Sequence, residues 1–538
     1  MSPPRASRRG ALPALAAALG IALLVAAVYL PSPRNGFVNW DDRAMIHENP
    51  GIHDLSWGSL VWMFTTDYMS AYQPLGWLAY ASIRRLQGLD PKGFHLASLA
   101  THAAGAGVLF LVGLRLFGPG RCSWLGAAIA ALLFGLHPLQ VEAVAWATGL
   151  ADLLGTLFFL LAFLLYLEAS DHEGRGRLSW VGFSLASFAV SGLCRWKGVC
   201  LPVVLAAVSL WPLQRFGKAG RRTWAELGAF AALAAAVVGA NVYAKVRGAG
   251  YGLDLRLAEA GSAAMLYAWK TIWPFDLIPL SELCAGGGAS AWLPLGLATL
   301  VTAGLLAKRR AWPEALAVWL CYLAAVAPPF ALKGPGPVFA QDLHAYLACS
   351  AFYLAAGAAL SRGLSSIGST GRTALLAMAA VVLAGLAVRT SRQLKVWKDS
   401  ISLWTHTLAV DEASHPGRTN LAAALLKKDR YGEAVLHLRE QLRRHPDDGV
   451  ARFNLEQIVK QLGPVKPDLV HYHNNLGADL FQLGRPEDAA YHFTKALALD
   501  PRSADTHQNL AGALLELGRL DQAGRHYERC LALTRPSP

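Results

Sequence analysis

The chain has 538 residues, of which 54% are hydrophobic and only 16% charged, with a formal net charge of +13. Soluble domains carry about 25% charged residues, so this composition excludes a soluble enzyme and points to a multi-pass membrane protein. In that setting the positive charge orients helices and does not call for nucleic acid; the seven scattered cysteines, without a CxxC pair, argue against a disulfide framework or a zinc site.

At the N-terminus, Arg5, Arg8 and Arg9 precede a run of 20 uncharged residues, ALPALAAALGIALLVAAVYL. The run is longer than the apolar core of a cleaved signal peptide. It reads as a first span with the N-terminus in the cytoplasm. Further spans are predicted near 96–117, 123–138, 150–168, 179–194, 198–213, 224–243, 291–307, 313–331, 342–361 and 373–389, eleven in all. With this parity the cytoplasmic segments hold sixteen Arg and Lys and the opposite short loops seven, as the positive-inside rule requires. The stretch AGSAAMLYAWKTIWPFDLIPL, 260–280, carries Lys270, Pro274 and Asp276 and reads as an interfacial or re-entrant segment on the outer side.

After about Thr390 charges become frequent and a 34-residue period begins. Leu421 and Leu455, Leu476 and Leu510, Phe493 and Tyr527, and Gly484 and Gly518 are each one period apart, while Ala434, Ala489 and Ala523 mark a small-residue position. This is the tetratricopeptide pattern, in which helical hairpins stack into a solenoid. Full repeats fit 415–448, 470–503 and 504–537, with a truncated one over 449–469 ending at Gly463–Pro464; Trp404 fits the same lattice as a half-repeat. The expected architecture is all-α: a membrane domain over 1–396 and a repeat domain over 397–538.

Four polar clusters punctuate the apolar chain. The first outer loop, about 31–95, contains GFVNWDDRAMIHENPGI with adjacent Asp41 and Asp42. Two neighbouring carboxylates at a bilayer surface suit a general base whose pKa is set by burial or by its neighbour, or simply a capped loop turn. FGLHPLQVEAVAWATGLAD brings His137, Glu142 and Asp152, and ionisable groups at membrane depth are functional candidates. Arg195 and Lys197 in CRWKG could hold a lipid phosphate or reach out to headgroups. AQDLHAYLAC adds Asp342, His344 and Tyr346. Parity puts all four clusters on the non-cytoplasmic side, which argues for one outer-face site.

These pieces, together with YQPLGWLAY, GLDPKGFHLASLATHA, GLADLLGTLFFLLAFLLY and YAWKTIWPFDL in the same order, resemble the transmembrane and tetratricopeptide-repeat O-mannosyltransferase family and its bacterial relatives, which are GT-C glycosyltransferases. The resemblance covers nearly the whole chain. It implies a GT-C-like membrane domain in a bacterial inner membrane, with the repeats outside the cytoplasm. It also implies an inverting transfer of a sugar, mannose in the family's name, from a polyprenyl-phosphate donor to a Ser or Thr hydroxyl of a protein. Asp41 and Asp42 would then be catalytic, Arg195 and Lys270 would bind the donor phosphate, and His137, Glu142, Asp152, Asp342 and His344 would support them. No cofactor is expected beyond the lipid-linked sugar, and no residues are assigned to a metal, whose involvement the sequence leaves open; the partners are the bilayer, the polyprenyl-phosphate sugar and a protein engaged by the repeats, with no nucleic acid. The chain departs from the family at Leu150 and Leu343, where Arg is usual, at Trp196, where the family has an acidic or polar residue, and at Gln73, often Arg or His. Those departures keep a rival open, a non-catalytic membrane-anchored repeat scaffold. A transporter is disfavoured because the carboxylates cluster outside and not at mid-membrane.

Overall fold

The structure is a computed structural model that describes residues 11–216, 220–249, 254–255, 257–283, 291–333, 338–462, 468–482 and 484–534. Arg5, Arg8 and Arg9 and the Gly463–Pro464 break lie outside the described residues. Contacts divide the chain into two units, Met1–Val410 and Asp411–Pro538. The division falls beyond the expected 396/397 because the helix Ser400–Val410 belongs to the first unit. Its Trp404 is fully buried there and donates from Nε1 to Asn39 Oδ1 at 2.7 Å.

The first unit is a bundle of apolar helices. Among the described residues, seven are long and apolar enough to cross a membrane: Ala11–Arg34, Pro91–Phe117, Ala147–Ala169, Gly174–Cys194, Gly220–Ala244, Pro313–Phe330 and Ser369–Val396. Two bent pairs, Arg121–Leu136 with Pro138–Ala145 and Asp342–Ala348 with Ser350–Ser366, raise the number to nine if each is one span. Two predicted spans are shorter apolar helices, Trp196–Leu210 and Leu293–Ala307. The 52° bend of the first pair follows from Pro138. The residue before a proline is pushed out of the helical region, and His137 is extended at φ −75°, ψ 131°. The ambiguous 260–280 stretch forms the 16-residue helix Leu257–Ile272, which stops before Pro274. It is not among the seven.

Small residues let the bundle close. A Cβ at Gly126, on Arg121–Leu136, would stand 2.4 Å from the Gly357 carbonyl oxygen on Ser350–Ser366. Such close approach is the usual means of helix association in lipid, where apolar burial gives little drive. Among the described residues, strand structure is limited to two short antiparallel ladders, residues 254–255 with 332–333 and Ser281–Leu283 with Val338–Ala340.

The second unit consists of helical hairpins in the predicted register. The pairs are His415–Leu426 with Tyr431–Arg444, Asp468–Gln482 with Pro486–Leu499, and Ala504–Glu516 with Leu520–Thr534; the single helix Gly449–Leu462 fills the truncated repeat. Equivalent turns carry a left-handed residue, Asp429 at φ 58°, Gly484 at φ 70° and Gly518 at φ 69°. Ala434, Ala489 and Ala523 are buried. Ala489 and Ala523 pack with Phe493, Leu510 and Leu514 in one core.

Candidate active site

The loop bearing the carboxylate pair leaves the first helix and turns into the short helix Arg43–His47. It is stapled from far along the chain. Gly36 N–H donates to the Lys398 carbonyl at 2.9 Å, Asn39 N–H to Ser400 Oγ at 2.9 Å, and Trp40 packs edge-on against Trp404. These contacts direct Asp42 inward, where it is 1% exposed and its Oδ2 accepts the Val38 N–H at 2.8 Å. Thr148 lies beside it, with its own carbonyl accepting the Tyr80 hydroxyl at 2.6 Å. Burial pushes the Asp42 carboxyl up to about 7, against the Val38 and Thr148 hydrogen bonds, with the charge of Asp41 adding to the rise. Asp41 is half-buried. Burial raises its pKa as well, opposed by the Arg195 charge.

The cations follow the end of helix Gly174–Cys194, where Arg195 turns extended and begins the short turn Trp196–Cys200. Arg195 Nε meets Asp152 Oδ2 at 3.1 Å, and Lys197 Nζ meets Asp152 Oδ1 at 2.6 Å. Arg195 also donates to Gln73 Oε1. Asp152 lies in the first turn of helix Leu150–Ala169, where the positive end of the helix dipole favours an anion. Gly155, one turn on, admits the Arg195 side chain, since a Cβ there would stand 3.1 Å from the Arg195 Cβ. Asp152, Arg195, Lys197, Leu343, His344 and Tyr346 border one narrow cleft of about 10 Å³. It shares Ala325 and Leu347 with an apolar cavity of about 770 Å³, walled by residues such as Phe117, Phe159, Phe163 and Trp319.

A second charged group completes the face. Lys270 Nζ meets Asp342 Oδ1 at 2.6 Å, and Glu142 Oε2 accepts the Asp342 N–H at 3.0 Å; all three are buried. Electrostatic contacts join the groups in sequence: Asp42 to Asp41, Asp41 to Arg195, Arg195 and Lys197 to Asp152, and Lys197 to Glu142.

Asp41, Asp42, Asp152, Arg195 and His344 thus come together, with Glu142 and Asp342 adjoining. Lys270 serves Asp342 and does not border the cation pocket. His137 sits at the helix joint: Nδ1 accepts the Leu139 N–H at 3.2 Å and Nε2 donates to the Thr271 carbonyl at 3.1 Å. Lys197 was legible as the neighbour of Arg195, but Thr148 and Tyr80 carry no sequence signal, being neutral hydroxyls in apolar runs. Among the departures, Leu343 borders the pocket, and Leu150 packs in the core with Trp77, Tyr80 and Phe94.

The tetratricopeptide-repeat family model matches residues 480–535. Curated relatives are similar over about a third of this chain. The mouse "Protein O-mannosyl-transferase TMTC3" is 32% identical over 208 residues, covering 36% of this chain and 22% of the relative. The human "Protein O-mannosyl-transferase TMTC2" is 30% identical over 217 residues, covering 37% and 24%. The human "Protein O-mannosyl-transferase TMTC4" is 35% identical over 179 residues, covering 30% and 24%. The matched stretches span less than a quarter of these relatives' length.

Proposed function

We propose that this chain, a relative of the transmembrane and tetratricopeptide-repeat protein O-mannosyl-transferases, is a multi-pass membrane glycosyltransferase. It takes a sugar from a polyprenyl-phosphate donor and passes it to a Ser or Thr hydroxyl of a protein, on the outer face of a bacterial inner membrane. The observation that supports this reading is a single junction: the Arg195 charge acts on Asp41, and the cleft bordered by Arg195 and Lys197 meets an apolar cavity. The cavity suits the prenyl chain and the cations suit the phosphate.

In the step proposed, the acceptor oxygen attacks the anomeric carbon as the bond from that carbon to the phosphate oxygen breaks, with inversion. One Asp of the pair takes the hydroxyl proton, and polyprenyl phosphate departs with its charge opposed by Arg195 and Lys197. A carboxyl near 7 suits a base working at neutral pH, which favours Asp42, while Asp41 is the less buried of the two. Without donor, Asp152 is the anion that holds both cations. Lys270 holds Asp342 and Glu142 in place and acts on the pocket indirectly.

The test is incubation of the purified chain with lipid-linked sugars, polyprenyl-phosphate mannose first, reading donor turnover in wild type and Asp42→Asn. The rival scaffold reading draws on Leu343, which presents an aliphatic side chain to the pocket. It takes precedence if wild type turns over none of the lipid-linked sugars.

A further inference from the structure

The repeats carry a feature that sugar transfer does not use. His473, on Asp468–Gln482, and His492, on Pro486–Leu499, bring their Nδ1 atoms to 3.0 Å. One 34-residue period later His507 and His526 repeat the pair at 2.9 Å. Each pair bridges the two helices of one hairpin. In the first repeat the equivalent positions hold Arg418 and His437, so hairpin packing itself does not demand two imidazoles.

The tautomers are suited to a ligand. His507 Nε2 donates to the Pro501 carbonyl at 3.2 Å, which places its proton on Nε2 and leaves a lone pair on Nδ1. Metal-bound imidazoles are held in this way, with the second ring nitrogen donating to a carbonyl or carboxylate.

We propose that each histidine pair chelates one divalent late-transition-metal ion through its two Nδ1 atoms, giving two equivalent sites one repeat apart. Two nitrogens, each about 2.0–2.1 Å from a metal, lie about 2.9 Å apart when they meet it at a right angle. The pairs already have that spacing. On binding, the Nδ1 proton shared within a pair moves to the outer Nε2, and both lone pairs turn to the ion. His492 and His526 are half-buried, so the ion keeps a solvent side. Among the described residues no third His, Cys, Asp or Glu joins either pair, which leaves the other positions to water. Affinity follows the general order for nitrogen sites, with Cu²⁺ tightest.

The experiment titrates Cu²⁺ into the full chain, purified in detergent with a tag free of histidine, and counts nitrogen-coordinated equivalents by electron paramagnetic resonance. His473→Arg and His507→Arg recreate the Arg418–His437 pair that the fold already accepts. Each single variant is expected to lose one equivalent and the double variant two, while His437→Gln loses none. A second double variant, His492→Gln with His526→Gln, removes the partner rings and should lose the same two. The proposal is overturned if either double variant binds as many nitrogen-coordinated equivalents as wild type, or if His437→Gln loses one.

Discussion

Asp42→Asn separates catalysis from stability more sharply than any other change. The ionised Asp42 is held in a buried site, and its carboxyl is raised from 3.8 to about 7. At about 1.4 kcal/mol for each tenfold in proton affinity, that is roughly 4 kcal/mol against the charged form. The sign follows from linkage: the folded state binds the proton more tightly than the unfolded chain, so stability falls as pH rises from about 4 to about 7 and levels off above. Asparagine keeps an oxygen to accept the Val38 N–H and never ionises. The variant should therefore match wild type near pH 4 and exceed it at pH 8, by at most the roughly 4 kcal/mol above. Its donor turnover should fall by about 10²–10⁴-fold if Asp42 is the base. Wild-type turnover should rise with pH toward about 7. Thermal unfolding of the detergent-purified chain at pH 4, 6 and 8, with turnover on the same samples, checks both. A stability difference that is the same at all three pH values would refute the desolvation argument.

Lys270→Met should destabilise the membrane unit by about 3–5 kcal/mol, because Asp342 and Glu142 would be left buried without their cation; thermal unfolding reads this directly, and Arg195→Ala should not show a comparable loss. Arg195→Ala should raise KM for the lipid-linked donor more than it lowers kcat, measured by steady-state turnover. Ala523→Trp should overpack the last hairpin against Phe493 and Leu514 by about 1–3 kcal/mol, opening the repeats to limited proteolysis while the membrane unit resists as before. A reporter fused after Thr534 should be active only if it folds outside the cytoplasm, and strong signal from a cytoplasm-only reporter would reverse the parity.

Much of this was readable because it is periodic. Each predicted span fell on a helix among the described residues, and the 34-residue recurrence located the hairpins down to the alanines where their helices touch. What escaped depends on partners remote in the chain. Nothing local to Trp40–Asp41–Asp42 announces that Asp42 is buried against Val38 and Thr148 while Asp41 is more open. Lys270 resembles a phosphate ligand by its neighbours in sequence, but its charge is taken up by Asp342, 72 positions on. His137 precedes a proline, and that local signal marks a helix joint. The His473–His492 and His507–His526 pairs are visible only once the repeat register is laid over the histidines.

The staple on the carboxylate loop also sets an order of events during synthesis. Asn39 and Trp404 are 365 positions apart, and Asn35 takes a further bond from the loop to the Leu394 carbonyl. The loop therefore leaves the ribosome 365 positions ahead of the residue that holds Asn39. Until residues 394–404 have been made, Gly36, Asn39 and Trp40 have no partners there, and Asp42 has not been driven into its dry site. A nascent chain halted anywhere before that point would hold an inserted but unassembled centre. Formation of these contacts is thus the event that moves Asp42 from water into a site where its carboxyl is pushed up to about 7.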